Sequence, residues 1–192
     1  MARPLPVKHS LTVASSENGE VTDEIETQLW LNRVEPYEGE SISHFLGRFR
    51  RAKGNKFSAP SGLGKVAGLG AILVRWEKFY FNPFPSRQEL EALADVVMVE
   101  ADTLAQMLPP KGVTMKPRPI KLCGACYGES LCHRIEWQFK DAYKCDRHQL
   151  RLLLKCTNCK RPFPIPALWV QGECPRCSLP FATMARRQQR VE

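Results

Sequence analysis

Residues 123–177 read CGACYGESLCHRIEWQFKDAYKCDRHQLRLLLKCTNCKRPFPIPALWVQGECPRC, and the spacing of ligand residues within them decides the fold. Cys123 and Cys126 stand two residues apart, and after 18 residues come Cys145 and His148 with the same spacing. Cys156 and Cys159 follow, and after 14 more residues Cys174 and Cys177 repeat the pattern. Two ligands separated by two residues form a turn whose backbone amides face the sulfurs, and two such turns complete a tetrahedron around Zn²⁺. The expectation is one site of three cysteines and a histidine and one of four cysteines, with two Zn²⁺ per chain. Each site draws all four ligands from protein, so neither metal keeps the open position that hydrolytic zinc uses. Both are expected to be structural. The two units span only 26 and 22 residues from first to last ligand, too few to bury a core. Metal binding, worth ~10–16 kcal/mol in finger peptides, is the expected source of their stability.

Between the ligands, His133–Phe139 is expected as a strand with Ile135, Trp137 and Phe139 on one face, and Leu150–Leu154 as a second. Only seven residues separate His148 from Cys156, so the two units should pack as one body. Cys132 is left over and is read as a buried free thiol. His133 is expected on a strand, His44 on a helix face near the surface, and His9 in the N-terminal tail. None is assigned chemistry.

The 192 residues are 43% hydrophobic, which suits a globular chain. No apolar run approaches the ~20 residues of a spanning helix. The N-terminus has no stretch long enough for a signal peptide, so a reducing, cytoplasmic setting is expected, where cysteines ligate metal more often than they pair. Acids outnumber bases eight to three in the first 40 residues, yet the whole chain carries +8. Filling both sites leaves about +5, because ligating thiols lose their protons. That excess permits contact with nucleic-acid phosphates without demanding it.

Upstream of the cysteines the pattern is helical. Ile42, Phe45, Leu46 and Phe49 define one face of a helix over 42–53, capped by Ser41 and closed by Gly54. A glycine-weakened helix follows Pro60, with Leu63, Val66 and Ala67. A third is expected over 71–80, with Ile72, Trp76, Phe79 and Tyr80 on one side. Ser86-Arg87-Gln88-Glu89 is a capping box opening a helix with Leu90, Leu93, Ala94 and Val97 inward. A tight turn over 97–100 leads to a last helix with Leu104, Met107 and Leu108, and the two read as a helix-turn-helix-like pair.

The segment Ala59-Pro-Ser-Gly-Leu-Gly-Lys-Val66 lacks the first glycine and the final hydroxyl of a phosphate-binding loop, so no nucleotide site is expected there. No nucleophile elbow, metalloprotease helix or carboxylate pair appears, and no enzyme activity or small-molecule substrate is expected. The last helix exposes Glu100, Asp102, Thr103 and Gln106 and no base, which disfavours entry into a DNA groove. Bases gather instead on 48–53, on 116–121, and at Arg147, Arg151, Lys155, Lys160 and Arg161. The last group is the candidate nucleic-acid contact.

Three pieces of the chain resemble the TniQ family of transposition target-selection proteins. Glu38-Gly-Glu-Ser-Ile-Ser-His-Phe-Leu-Gly-Arg-Phe49 is similar to the family's opening helix. Cys123-Gly-Ala-Cys126 with Trp137 and Cys145-Asp-Arg-His148 is similar to its first ligand block, and Cys156-Thr-Asn-Cys159 to the next. Gly124 and Asp146 depart from the family's usual prolines. The resemblance is greatest to the short form found in CRISPR-associated (type V-K) transposons, without the C-terminal DNA-binding region of longer members. It implies a cytoplasmic bacterial adaptor between an AAA+ ATPase transposition regulator and an RNA-guided effector with its guide and tracr RNA, target DNA being met indirectly.

The expected architecture is a small multidomain chain, α plus zinc ribbon. It comprises a mobile tail (1–29), an all-helical helix-turn-helix-like domain (30–110), a linker (111–122), zinc ribbons over 123–154 and 155–182, and a basic tail (183–192). The alternative function is a zinc-ribbon, helix-turn-helix transcription regulator that binds DNA directly.

Overall fold

The computed structural model describes residues 31–191. The stretch 1–29, expected as a tail, lies outside them. Among the described residues are helices α1 (Ile42–Arg51), α2 (Pro60–Val66), α3 (Ile72–Trp76), α4 (Arg87–Val97), α5 (Ala101–Gln106) and α6 (Gly124–Glu129). A two-residue antiparallel pair, β1 (Lys144–Cys145) and β2 (Leu150–Arg151), and 3₁₀ turns at Ile135–Gln138, Pro166–Leu168 and Ala182–Arg187 complete the set. No helix among them is long and apolar enough to cross a membrane.

Helices α1 to α5 enclose one apolar core. Phe45, Leu46, Phe49, Leu63, Leu73, Trp76, Leu93, Val96 and Leu104 are all but inaccessible. The local chemistry is as the sequence dictates. Ser41 caps α1 by accepting from the His44 amide, and Ser86 and Glu89 form the reciprocal capping box of α4. Met98 closes α4 in the left-handed conformation, and α5 starts three residues later. The α4–α5 pair is therefore a tight helical hairpin with Leu90, Leu93, Val97, Leu104, Met107 and Leu108 inward.

Helix α3 is shorter than its apolar pattern suggests. It ends at Trp76, and Phe79 adopts a positive φ of 63°. That turn sends Phe79 out of the helical core into the cluster around the cysteines, leaving Tyr80 52% exposed. Apolar spacing cannot register such a change of direction, because Phe79 is buried either way.

The second core holds Ile120, Leu122, Tyr127, Ile135, Trp137, Leu152, Phe163, Trp169, Phe181 and Met184 together with cysteines of both ligand sets. Three expectations are corrected here. The segment 133–139 is not a strand, because Gln138 is buried inside it. Its side chain accepts from the Lys121 amide at 2.7 Å and donates to the Lys116 carbonyl at 2.7 Å, so the backbone coils around it as a 3₁₀ turn. Residues 111–122 are not a free linker beyond their first few positions. Ile120 and Leu122 are fully buried, Leu122 pairs with Leu153, and Lys121 Nζ donates to the carbonyls of Phe139 and Ala142. The described part of the expected basic tail, residues 183–191, is tied down, because Met184 is buried and the turn Ala182–Arg187 packs on α6.

The two cores are joined at α1. Its N-terminal residues Ser41, Ser43 and His44 are buried against the second core, which corrects the expected surface position of His44. Ser41 donates its amide to the His133 carbonyl at 2.8 Å, and the Ile135 amide reaches the Gly39 carbonyl at 3.0 Å. Gly47 is required by contact. A β-carbon there would collide with the Ala167 backbone, and Arg51 one turn later donates to the carbonyls of Ala167 and Trp169. Two buried carboxylates brace the same helix: Glu40 is hydrogen-bonded to His44 and ion-paired with Arg48, and Glu77 forms a bidentate pair with Arg50. Burial alone would raise the Glu40 pKa, but hydrogen bonds from His44 and Arg48 outweigh it and hold the carboxylate low.

Candidate metal centres

The fold brings Cys123, Cys126, Cys145 and His148 together, and separately Cys156, Cys159, Cys174 and Cys177. Within each set the ligand atoms lie within 4.8 Å of one another. The spacings discriminate between metal ligation and disulfides. Cys126 and Cys145 sulfurs are 3.4 Å apart, Cys156 and Cys177 3.6 Å, and Cys159 and Cys174 3.5 Å. A disulfide needs about 2.05 Å. The edge of a tetrahedron of sulfurs around a metal at about 2.3 Å is about 3.8 Å. His148 Nδ1 sits 3.2 Å from Cys126 Sγ and 3.7 Å from Cys145 Sγ, in keeping with the shorter metal–nitrogen bond. Each set could hold one metal ion with all four positions taken by protein.

Three of the four ligand pairs share one turn. The amides of Gln149, Lys160 and Ser178 donate to the carbonyls of Cys145, Cys156 and Cys174 at 2.7, 3.1 and 2.9 Å. Each of those three residues follows the second ligand of its pair and has positive φ: 51°, 60° and 52°. The turn must reverse the chain within a residue, and the left-handed conformation does that at the second ligand's exit. Short antiparallel bridges flank the turns, Cys145 with Leu150, Lys155 with Pro162, and Glu173 with Pro180. The two-residue β2 replaces the longer strand expected over Leu150–Leu154.

The fourth pair, Cys123 and Cys126, opens helix α6 instead. Gly124 there meets the C-terminal turn so closely that a β-carbon would lie 2.6 Å from the Ala185 amide nitrogen. Its own amide donates to Gln188 Oε1 at 2.7 Å, and Gln188 Nε2 donates onward to the Arg151 carbonyl at 2.8 Å. A proline at this position would lose that donor and strike Ala185. Glycine is thus the residue the packing demands.

The electrostatics of the ligands follow from crowding. Hydrogen bonds from Cys123 and Cys126 draw the Cys145 thiol far down, while contacts with Cys123 and Cys145 push Cys126 far up. In the second set the Leu179 amide, aimed at the sulfur, draws Cys177 down to about 6, and burial pushes Cys174 up to about 11. Sequence reading missed Glu129. It lies at the end of α6 and its Oε1 is 2.8 Å from His148 Nε2, while Oε2 accepts from Arg147 at 3.1 Å. A carboxylate there holds the proton on Nε2 and leaves the Nδ1 lone pair for metal. Cys132 is buried and belongs to neither set.

The five basic candidates are dispersed in their engagements. Arg147 is matched by Glu129, Lys160 Nζ is tied to the Thr157 carbonyl at 2.7 Å, and Arg151, Lys155 and Arg161 are exposed. Arg151 instead lines an open cleft of about 350 Å³ with Lys116, Lys140 and the exposed ring of Tyr143, which sequence reading did not single out. Arg151 also stands directly opposite Lys144 across the β1–β2 pair. Like charges so placed repel, and Asp141 lines the same cleft as the one acid among these bases.

No protein-family model matches the chain, and no curated protein matches it.

Proposed function

We propose that the protein is a non-catalytic adaptor whose two centres each bind Zn²⁺ and hold a docking platform rigid. The observation that carries this reading is the closed geometry of both ligand sets, together with α1, a helix of the first core whose Ser43 and His44 pack on Ala167 and on Trp169 of the second. Soft thiolate donors in tetrahedral array suit zinc, and four protein ligands leave it no position for substrate. The residues shared with the TniQ pattern have structural roles consistent with that: Glu40 and Arg48 pair, Ser41 caps α1, and Trp137 fills the second core.

On this reading the resemblance supplies the partners, an AAA+ ATPase transposition regulator and a guide-RNA-bearing effector. The cleft with Arg151, Lys116 and Lys140 is the face offered to phosphate. The α4–α5 hairpin is a helix-turn-helix-like protein contact. Arg87 pairs with Glu91 and with Asp102 across it, leaving Glu100 exposed and no free base on α5. That charge speaks against the alternative of a regulator reading duplex DNA through this pair. Co-purification with the ATPase tests the proposal. Cys123→Ser or Cys174→Ser should abolish it and Cys132→Ser should not; retained binding by metal-free protein would refute it.

A further inference from the structure

The segment between Ile165 and Gly172 crosses α1 with its side chains alternating. Pro166, Ala167 and Trp169 are buried, while Leu168 and Val170 stand 56% and 69% exposed. Open clefts of about 390 and 470 Å³ lie on its two sides, and both Arg51 and Val170 line both of them. Leu131, 59% exposed, forms the far wall of the first. Exposed aliphatic side chains gathered on one face, with clefts between them, mark a contact site more often than scattered ones do.

The charge on this face is specific. Arg48 is matched by Glu40 and Arg50 by Glu77. Arg51 has only the carbonyls of Ala167 and Trp169, and no carboxylate in ion-pair range among the described residues. A guanidinium carries five N–H donors in a fork suited to a carboxylate. Two are used, which leaves donors free beside clefts whose walls are mostly apolar but that also hold Arg48 on one side and Arg50, Glu77 and Lys78 on the other. The aromatic rings nearby do not offer a stacking face for a base. Trp169 and Tyr127 are 3% exposed, and the guanidinium of Arg48 covers Tyr37 at 4.4 Å.

We infer that the face formed by Arg51, Leu131, Leu168 and Val170 docks a peptide segment of a partner protein that carries an Asp or Glu beside large apolar side chains. The inference deepens the adaptor reading and rests on it for the existence of a protein partner. The apolar residues fill the two clefts astride Val170, and the carboxylate meets Arg51. Such short-segment recognition gives affinities on the order of micromolar.

The test is selection of random dodecapeptides on the full, zinc-loaded chain, followed by titration of the enriched peptides. The expected result is a consensus of an acid next to Leu, Ile or Phe. Val170→Asp and Leu131→Asp should weaken it about tenfold or more, and Arg51→Lys several-fold. Val170 and Leu131 are exposed, so those variants keep the test informative if Arg51 variants loosen the loop, with metal content and helical circular dichroism as the check on folding. No acidic-apolar consensus, undiminished binding by Val170→Asp and Leu131→Asp, or displacement of the peptide by oligothymidylate would overturn the inference. Failure of peptide selection with ATPase capture intact sinks this site alone; failure of ATPase capture with the peptide consensus intact sinks the adaptor reading alone.

Discussion

His133 Nδ1 lies 2.9 Å from the Oγ of Ser41, the hydroxyl that caps helix α1. One residue of the cysteine-rich half thus completes the start of the first helix of the other half. His133 is wholly buried among Phe79, Trp137 and Trp169, with ring centroids 5.3–5.6 Å away. Because the Ser41 amide also binds the His133 carbonyl, the joint is double. Ser41→Ala removes both a cap and the partner of a buried imidazole, and should cost about 2 kcal/mol. Urea unfolding monitored by circular dichroism checks this, and a change below about 0.5 kcal/mol would contradict the joint's importance.

Acid should weaken the fold well before the carboxylates titrate. Burial lowers the pKa of His44 despite its Glu40 partner, and lowers that of His133 much further. Both are neutral in the folded chain and take up protons near pH 6.5 when unfolded. The unfolded state therefore binds more protons below about pH 6.5, and stability must fall as pH drops through that range. With both contributing, the slope approaches about 2.7 kcal/mol per pH unit. Glu40 adds a later loss, below the ordinary carboxylate range, because its folded pKa is lowered. Unfolding free energies from pH 7.5 to 5.5, with metal retention followed by a colorimetric indicator, separate this from ligand protonation. A flat profile while metal stays bound would refute it.

Much of the helical half was legible in the sequence because its signals are local. The Ser41 cap, the Ser86–Glu89 capping box and the inward residues of α4 and α5 stand where spacing puts them. The two clusters of cysteine and histidine that could each hold a metal were legible for the same reason, each pair being a short-range pattern. What was hidden is long-range. The burial of His44, the Gln138 hub, the insertion of Phe79 into the second core and the docking of 182–188 on α6 depend on contacts between residues far apart in the chain. No period-2 or period-3.6 pattern encodes them. Glu129 was missed because its role comes only from its distance to His148.

Gly124 offers a direct probe of that long-range packing. Gly124→Pro removes the donor to Gln188 and intrudes on Ala185 and Phe181. It should destabilise the protein by about 3 kcal/mol and free the C-terminal turn. Trypsin should then cut at Arg186 and Arg187 markedly faster than in the parent chain. Unchanged proteolysis would show that this turn does not depend on its seat against α6.

The left-handed residues of the ligand turns predict gains. Ser178 and Lys160 carry positive φ without being glycine, which costs each about 1 kcal/mol against a residue lacking a β-carbon. Ser178→Gly should stabilise the metal-loaded protein by about 0.5 kcal/mol after the added freedom of the unfolded chain is counted. Its urea midpoint should rise, and a fall would show that the serine side chain has a role the turn geometry does not reveal.

Glu129 should tune the first centre alone. Glu129→Gln leaves an acceptor for His148 Nε2 but no charge, and Glu129→Ala leaves neither. Outer partners of metal-binding histidines are worth 10–100-fold in affinity. Competition with a chromophoric chelator should show one of the two metal ions released about tenfold or more readily in Glu129→Ala, the other unchanged. Equal release of both, or of neither, would remove Glu129 from the account.

The metal content of the purified full chain, measured by mass spectrometry of the elements together with its helical circular dichroism, bears most directly on the whole account. Two zinc ions per chain are expected, with loss of helical signal on chelation, because α1 packs on the segment between the two cysteine pairs of the second set. A chain with far less than two metal ions and an unaltered helical spectrum would contradict it.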